Sequence, residues 1–277
     1  MDRATIVILQ LIMCAVMGQH CGRGRVDAAW RSREQNRTYR GITGRVLPYR
    51  GLFAAEAQAW AKLRRWWGER PLPRVVWDIG ANRGTWADAA INEWPSASIV
   101  SFEANPAMKE DLQGCGRPYV IAVLGDANRK VAMTEATPEA LQRDALAHTG
   151  NSLFHQLGRH GGLYRNVSRQ MRRLDDLVDE LPTHCLPASA RAPDFIKLDV
   201  QGAELAVLRG APRALKTASH LLLELSVTAV NAGAPLAAET INWLREHAGF
   251  EMSLKIAGND NHGQMDAIFS RTSGRTF

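Results

Sequence analysis

Three short stretches place acids, amides and glycines where an apolar run stops. The first is VVWDIGANRG, with Asp78, Gly80, Asn82 and Gly84. The second is SIVSFEANP, which ends its run on Glu103, 23 residues after Gly80. The third, FIKLDVQGAELAVLRG, sets Asp199, Gln201, Gly202 and Glu204 within six residues, between an apolar run and a helical pattern. Glycines at such a point let the backbone turn tightly and come close to a ligand. The GxNxG spacing of the first stretch is not the GxGxxG of dinucleotide sites. The acid ahead of it, Asp78, suits an ammonium or sulfonium ligand better than a pyrophosphate. Glu103 is placed to accept both hydroxyls of an adenosine ribose, a charge-assisted hydrogen bond worth about 1.5–3 kcal/mol. Each feature also has a plain structural reading: Asn82 as a helix cap, Glu204 as a favourable first-turn acid.

These residues do chemistry together only if the fold brings them to one crevice. The apolar pattern predicts strands at 74–79, 98–103, 119–124, 194–200 and 220–226, and helices at 85–94, 106–113, 203–215 and 235–247. Such alternation implies a parallel sheet covered by helices on both faces. The last two strands, 250–256 and 265–271, share only a loop and pair antiparallel. In an open sheet of this kind, ligands bind beyond the carboxyl ends of the strands. All three stretches end strands in that sense. Lys197, two residues before Asp199, points to the same face, as an ion-pair partner or as part of the sheet's lining.

The other segments are less informative. Residues 1–50 form a basic arm, with nine arginines against three acids, which is the whole of the net charge of +6. The basic balance therefore does not argue for a nucleic-acid-binding core. Within the arm, Thr5 to Gly18 is apolar but shorter than the roughly 20 residues a span needs. It could be a signal-peptide core, but no convincing cleavage site follows. A soluble or weakly membrane-associated chain ranks ahead of a secreted one. Were the segment an anchor, the arginines after it would favour a cytoplasmic location for the main domain. Residues 51–73 are a helical lead-in whose Phe53, Ala57, Trp60, Leu63 and Trp67 make one packing face. Residues 74–277 are the main domain. The polar stretch 127–173 breaks the alternation and reads as a lid or an insertion. The four cysteines show no metal-binding spacing and read as reduced thiols of a cytoplasmic chain, with no metal site.

Taken together, VVWDIGANRG, IVSFEANP, IAVLGD, FIKLDVQGAELAVLRGA, LLLELS and HGQMDAIFSR resemble the FkbM family of S-adenosylmethionine-dependent methyltransferases. The resemblance runs from about Arg74 to Arg271. It implies a Rossmann-like class I methyltransferase fold: a mostly parallel seven-stranded sheet with an antiparallel C-terminal strand and helices on both faces. It implies S-adenosyl-L-methionine as cofactor. Asp78, Gly80, Asn82 and Gly84 would cradle its methionine part and Glu103 its ribose. Asp126 would lie near the adenine, with Ala81 and Ala104 as further cofactor contacts. Asp199, Gln201 and Glu204 would lie near the methyl group as catalytic residues. The chain departs from the family's usual pattern in the middle region, where it offers only Asn151–Ser152, and at Asn231, where relatives often carry tyrosine. Both departures fall on the acceptor side.

The activity expected is O-methylation of a sugar, glycan or natural-product-like small molecule. Asp199 is the first candidate for base or acceptor anchor, and His155 and His160 are weaker ones. A catalytically inactive cofactor-binding module is the alternative, followed by a nicotinamide-dependent oxidoreductase. A nucleic-acid base methyltransferase is disfavoured, because DVQG stands where an NPPY-type loop would be and no aromatic platform accompanies it.

Overall fold

The computed structural model describes residues 20–23, 39–40, 46–47, 50–143, 151–156, 164–259 and 263–272. The apolar run 5–18 and His160 lie outside them. Among the described residues no helix is long and apolar enough to cross a membrane.

The predicted strands form one sheet. In chain order its members are β1 (His20–Arg23), β2 (Val75–Ile79), β3 (Ser98–Glu103), β4 (Pro118–Ile121), β9 (Phe195–Leu198), β10 (His220–Ser226), β12 (Phe250–Asn259) and β13 (Gln264–Arg271). The numbers between belong to strands outside this sheet: β5 (Val123–Gly125), β6 (Arg129–Ala136), β7 (His155–Gln156), β8 (Tyr164–Arg173) and β11 (Asn231–Ala232). The spatial order is β1-β4-β3-β2-β9-β10-β13-β12. Strands β4, β3, β2, β9 and β10 run parallel. β13 is threaded between β10 and β12 and runs antiparallel to both. Leaving aside the edge strand β1, this is the seven-stranded class I methyltransferase arrangement, with a single reversed strand. β1 comes from the segment read as an arm and pairs antiparallel with β4. The chain steps from β2 outward through β3 and β4, then returns to β9 on the other side of β2. The switch point between β2 and β9 is where such a sheet opens its crevice.

Both faces of the sheet are buried, as parallel strands require. One face packs Trp77, Ile79, Ile196, Leu198, Leu221 and Leu223 against helices α5 (Leu174–Glu180), α6 (Glu204–Arg209), α7 (Pro212–Thr217) and α8 (Ala237–Trp243). The other packs Val76, Ile99, Phe195 and Ile268 against α1 (Arg50–Trp67) and α2 (Thr85–Glu93). Trp60, Leu63 and Trp67 of α1 are buried there, which is the packing face their helical spacing predicts. Trp67 lies 5.3 Å from Trp94 and 5.8 Å from Phe195 between ring centroids, and its indole N–H finds the carbonyls of Arg70 and Pro71. At the amino ends of the central strands, the Asp194 carboxylate accepts from the backbone N–H groups of Arg74 and Val75 and ties β9 to β2.

Three elements differ from the pattern. The strand expected at 119–124 changes sheets at Ala122, with Pro118–Ile121 in the main sheet and Val123–Gly125 in a second one. The helix expected at 203–215 breaks into α6 and α7, because Pro212 starts a new helix rather than continuing the old one. The stretch 127–173 contains β6 and β8, an antiparallel pair that joins β5 in a three-stranded sheet. Arg169 of β8 pairs its guanidinium with Glu135 of β6 at 2.7 and 2.9 Å, so charged residues carry part of this sheet and leave no apolar alternation to read. The thiol reading fails at one position: buried Cys185 is disulfide-bonded, with its partner outside the residues whose side chains are described.

Trp67→Ala should lower stability by about 3–5 kcal/mol, the usual cost of emptying a large aromatic site. Denaturant titration checks this, and a loss below about 1 kcal/mol would mean that α1 is not part of the cooperative core.

Candidate active site

The crevice opens beyond the carboxyl ends of β2, β3 and β9. It spans about 830 Å³, counting space open to solvent, and is lined by Gly80 and Asn82 from the loop after β2, and by Glu103, Ala104 and Asn105 from the end of β3. Asp199, Val200 and Gln201 from the end of β9 line it as well. Its far wall is apolar, with Val123, Leu124, Met133 and Leu153 supplied from around the second sheet. The stretch 127–173 therefore contributes a wall of the cleft.

The loop after β2 is shaped by its neighbour. Gly80 has φ +78°, and a β-carbon there would lie 1.8 Å from the Asp199 carbonyl oxygen. The two central strands thus end in backbone contact that only glycine permits. Asn82, two residues on, has φ 50°. The backbone N–H of Asn82 donates to Glu103 Oε2 at 2.7 Å, and that of Asn105 donates to Oε1 at 2.7 Å. Glu103 therefore ties the two loops together, while each of its oxygens keeps a lone pair for a further donor. Burial raises its pKa, against the opposing pull of the Asn105 and Asn82 amides.

Beneath the cleft, Asp78 and Lys197 face each other across β2 and β9, with Lys197 Nζ 3.1 Å from Asp78 Oδ1. The same ammonium donates to the Gly80 carbonyl at 3.0 Å and lies 3.6 Å from Asp199 Oδ2. Burial pulls the lysine pKa down, but the charges of Asp78 and Asp199 outweigh it and the net direction is up, so Lys197 stays charged. Burial also raises Asp78, partly offset by Lys197. Neither Asp78 oxygen has a well-directed hydrogen bond, and the buried Oδ1 of Asn82 has none either.

The third cluster divides by role. Asp199 lines the cleft with its side chain 37% exposed. Gln201, at φ 53°, donates its amide to Asp199 Oδ1 at 2.9 Å and to Glu224 Oε2 at 2.8 Å. Glu204 is buried below, where its Oε1 accepts from the backbone N–H of Val200 at 2.9 Å and of Gly202 at 3.2 Å. It holds the turn and does not line the cleft. Burial raises its pKa to about 7.

The remaining expected site residues are dispersed. Gly84, at φ 84°, precedes α2, and Ala81 is buried behind the cleft. Asp126 lies outside the lining and pairs with Arg129 at 3.6 Å on the surface. His155 is exposed on β7, which pairs with β11. Sequence reasoning missed Glu224, Gln264 and Asp266. The signal available was a glutamate inside the apolar run HLLLELS. It also left Ser152 and Asn231 as mere departures. In the fold, Ser152 Oγ donates to the Gln201 carbonyl at 2.6 Å, and Asn231 Nδ2 donates to the same carbonyl at 2.8 Å. Among the described residues no group of three His, Cys, Asp or Glu is arranged to hold a metal.

With the geometry in place, comparison with known proteins gives the class. The model of the methyltransferase FkbM domain matches residues 78–252. The chain belongs to the FkbM methyltransferase family. It is 28% identical over 169 residues to the 2-O-methyltransferase NoeI of Sinorhizobium fredii, covering 57% of this chain and 65% of that protein. It is 27% identical over 231 residues to the AMB antimetabolite synthetase AmbE of Pseudomonas aeruginosa, covering 69% of this chain and 10% of that one. The chain thus spans less than two thirds of either relative. A solved magnesium protoporphyrin IX methyltransferase from Synechocystis with bound SAH is 10% identical, covers 88% of this chain and 93% of that one, and has a TM-score of 0.44. At that level it adds nothing to what the strand order already establishes.

Family membership makes S-adenosylmethionine the cofactor, and the residues present suit it. The Asn82 side-chain oxygen, without a partner among the described residues, offers an acceptor to a cationic methionine moiety, whereas Asp78, fully buried and outside the lining, is held by Lys197. Glu103 offers lone pairs to ribose hydroxyls, and the wall of Val123, Leu124 and Met133 offers an apolar face to a base.

Glu103→Ala should weaken S-adenosylhomocysteine binding roughly ten- to a hundredfold, read by calorimetric titration; an unchanged Kd would remove Glu103 from the ribose site. A second expectation concerns pH. Glu204 titrates near 7 when folded and near 4.5 in an ordinary environment, so the native state holds the extra proton between those values. Stability from this group is full below about pH 4.5 and is lost as pH rises through 7, by on the order of 3 kcal/mol. Glu204→Gln keeps the acceptor oxygen and should flatten that part of the stability–pH curve. A slope as steep as wild type would place the titration elsewhere.

Proposed function

We propose that this protein transfers the methyl group of S-adenosylmethionine to a hydroxyl of a sugar, glycan or natural-product-like small molecule. The observation that carries the reading is Asp199: a partly exposed carboxylate in the wall of the cofactor cleft, oriented by the Gln201 amide and the Lys197 ammonium. The name of NoeI, a 2-O-methyltransferase, supports oxygen as the acceptor atom.

The bound cofactor supplies a methyl group activated on a sulfonium. What this chain adds is alignment, exclusion of water and removal of a proton. Alignment within about 3 Å of the reacting carbon accounts for most of the rate in such displacements. The crevice between β2 and β9 holds the donor side rigidly, because Gly80 and Asp199 are in backbone contact. Asp199 takes the hydroxyl proton as general base, a role typically worth 10²–10⁴-fold. The proton acceptor stands on the rim nearest the ends of β9 and β10. The acceptor molecule therefore enters from that side, over Gln201.

Asp199→Ala should bind S-adenosylhomocysteine within a few fold of wild type yet transfer no label from methyl-labelled S-adenosylmethionine to a panel of glycans and hydroxylated small molecules that wild type accepts. Undiminished transfer by the variant would remove Asp199 from the mechanism. Tight cofactor binding by wild type with no transfer to any member of the panel would favour the non-catalytic module.

A further inference from the structure

Glu224 sits where a sheet residue of an apolar strand has no packing reason to be charged. Its neighbours on β10 are Leu221, Leu222, Leu223 and Leu225, all buried. Its side chain reaches the same corner as Asp199. Gln201 Nε2 donates to both carboxyl groups, at 2.9 Å to Asp199 Oδ1 and 2.8 Å to Glu224 Oε2. A second amide, Gln264 Nε2 from β13, donates to the same Glu224 oxygen at 2.9 Å. One amide nitrogen thus holds both carboxyl groups side by side, and two carboxyl groups so placed can bond each other only with a proton between them, since two carboxylates have no donor.

The corner is assembled with some strain. Gln201 holds φ 53°, a conformation side chains rarely adopt, and its carbonyl is clamped by Ser152 Oγ and Asn231 Nδ2. Strain of this kind persists only when the surroundings over-determine it, and it clusters at functional sites.

We propose that Glu224 is a positioning residue of the transfer step: with Gln201 it joins Asp199 in a carboxyl pair that shares one proton, and this pair receives the proton of the acceptor hydroxyl. The inference rests on the methyl-transfer reading above. In the step, the acceptor oxygen forms a bond to the methyl carbon as that carbon's bond to sulfur breaks. The positive charge on sulfur is lost as the thioether forms, and the hydroxyl proton passes to the pair, which goes from the doubly ionised form favoured beside a cation back to one shared proton. Without a cation in the cleft the shared proton relieves the repulsion of two close carboxylates.

The charged groups around Glu224 come from every packed element. Asp199 and Lys197 stand on β9 and its end, Asp266 lies opposite in register on β13, and Glu204 starts α6. Burial and the charges of Asp199 and Asp266 all raise the Glu224 pKa, the direction that a shared proton requires.

A cofactor analogue tests this without knowledge of the acceptor. Sinefungin carries an ammonium where the methylsulfonium stands, and S-adenosylhomocysteine carries no charge there. An ammonium beside the pair favours its doubly ionised form and expels the shared proton. The affinity of sinefungin relative to S-adenosylhomocysteine should then rise about tenfold between about pH 6 and pH 8 in wild type, by one-proton linkage. Calorimetry in buffers of different ionisation enthalpy should show proton release for sinefungin alone. Glu224→Gln should make the ratio flat across that range, and Gln201→Ala should blunt it. Glu251→Gln, exposed on β12 and remote from the charges acting on the pair, should keep it. S-adenosylhomocysteine binding by each variant reports that it has folded. A flat ratio in wild type, an unchanged slope in Glu224→Gln, or loss of the slope in Glu251→Gln would overturn the inference alone. Failure of wild type to bind S-adenosylhomocysteine would overturn the methyl-transfer reading and this inference with it.

Discussion

The ammonium of Lys197 is buried between the ends of the two central strands, with Asp78 below it, Asp199 at its side and the Gly80 carbonyl accepting from it. Buried ion pairs of this sort are weak contributors to stability, because removing two charges from water costs about as much as their attraction returns. Removing one partner is another matter and costs about 3–5 kcal/mol, since the other charge is left uncompensated. The consequence is positional. A single cation reads the separation of β2 and β9, and any drift between them breaks its contacts to Asp78 and to the Gly80 carbonyl. The glycine loop, the Asp199 carboxylate and the backbone contact between them are all referenced to that one group. The Glu103 bridge to Asn82 then extends the reference to β3.

Around this anchor the cleft separates into two halves built by different means, which the proposed methyl transfer assigns to cofactor and acceptor. The cofactor half is made of loops that directly succeed the strands and is held by backbone hydrogen bonds. The acceptor half is made of side chains reaching between elements far apart in the chain: Gln201 to Glu224, Gln264 to Glu224, Ser152 and Asn231 to the Gln201 carbonyl. The first half therefore depends on a few residues close to the strand ends, Gly80 and Glu103 among them, and the second on side chains drawn from distant parts of the chain.

This division also explains what could be read from the chain alone. The parallel sheet was legible, because period-two and unbroken apolar runs report burial on both faces, and the glycine loop was legible because its spacing is local. Asp199 and Gln201 could be placed because they come immediately after a strand. Glu224 and Asp266 could not, because their opposition depends on β13 entering the sheet between β10 and β12, a register no local pattern encodes. The second sheet escaped for a related reason: Arg169 and Glu135 look like a solvated surface until their strands are paired. The break at Gly210–Pro212 carried a plain local signal, a proline, and was lost only because the apolar period runs through it. The Cys185 disulfide leaves no trace in spacing at all.

The threading of β13 has a mechanical consequence. Most sheets can lose an outer strand and keep their interior. Here the last strand among the described residues is an interior one, and its removal would strand β12 with no partner while turning β10 into an edge. That edge would present Leu221, Leu222 and Leu223 with unpaired backbone groups, the kind of surface that recruits other chains. The acceptor corner would be dismantled in the same event, because Gln264 and Asp266 leave with the strand. Completing the sheet and completing the corner are therefore one act, and a chain that has not yet delivered residues 264–271 presents an adhesive surface where the finished protein presents a catalytic one.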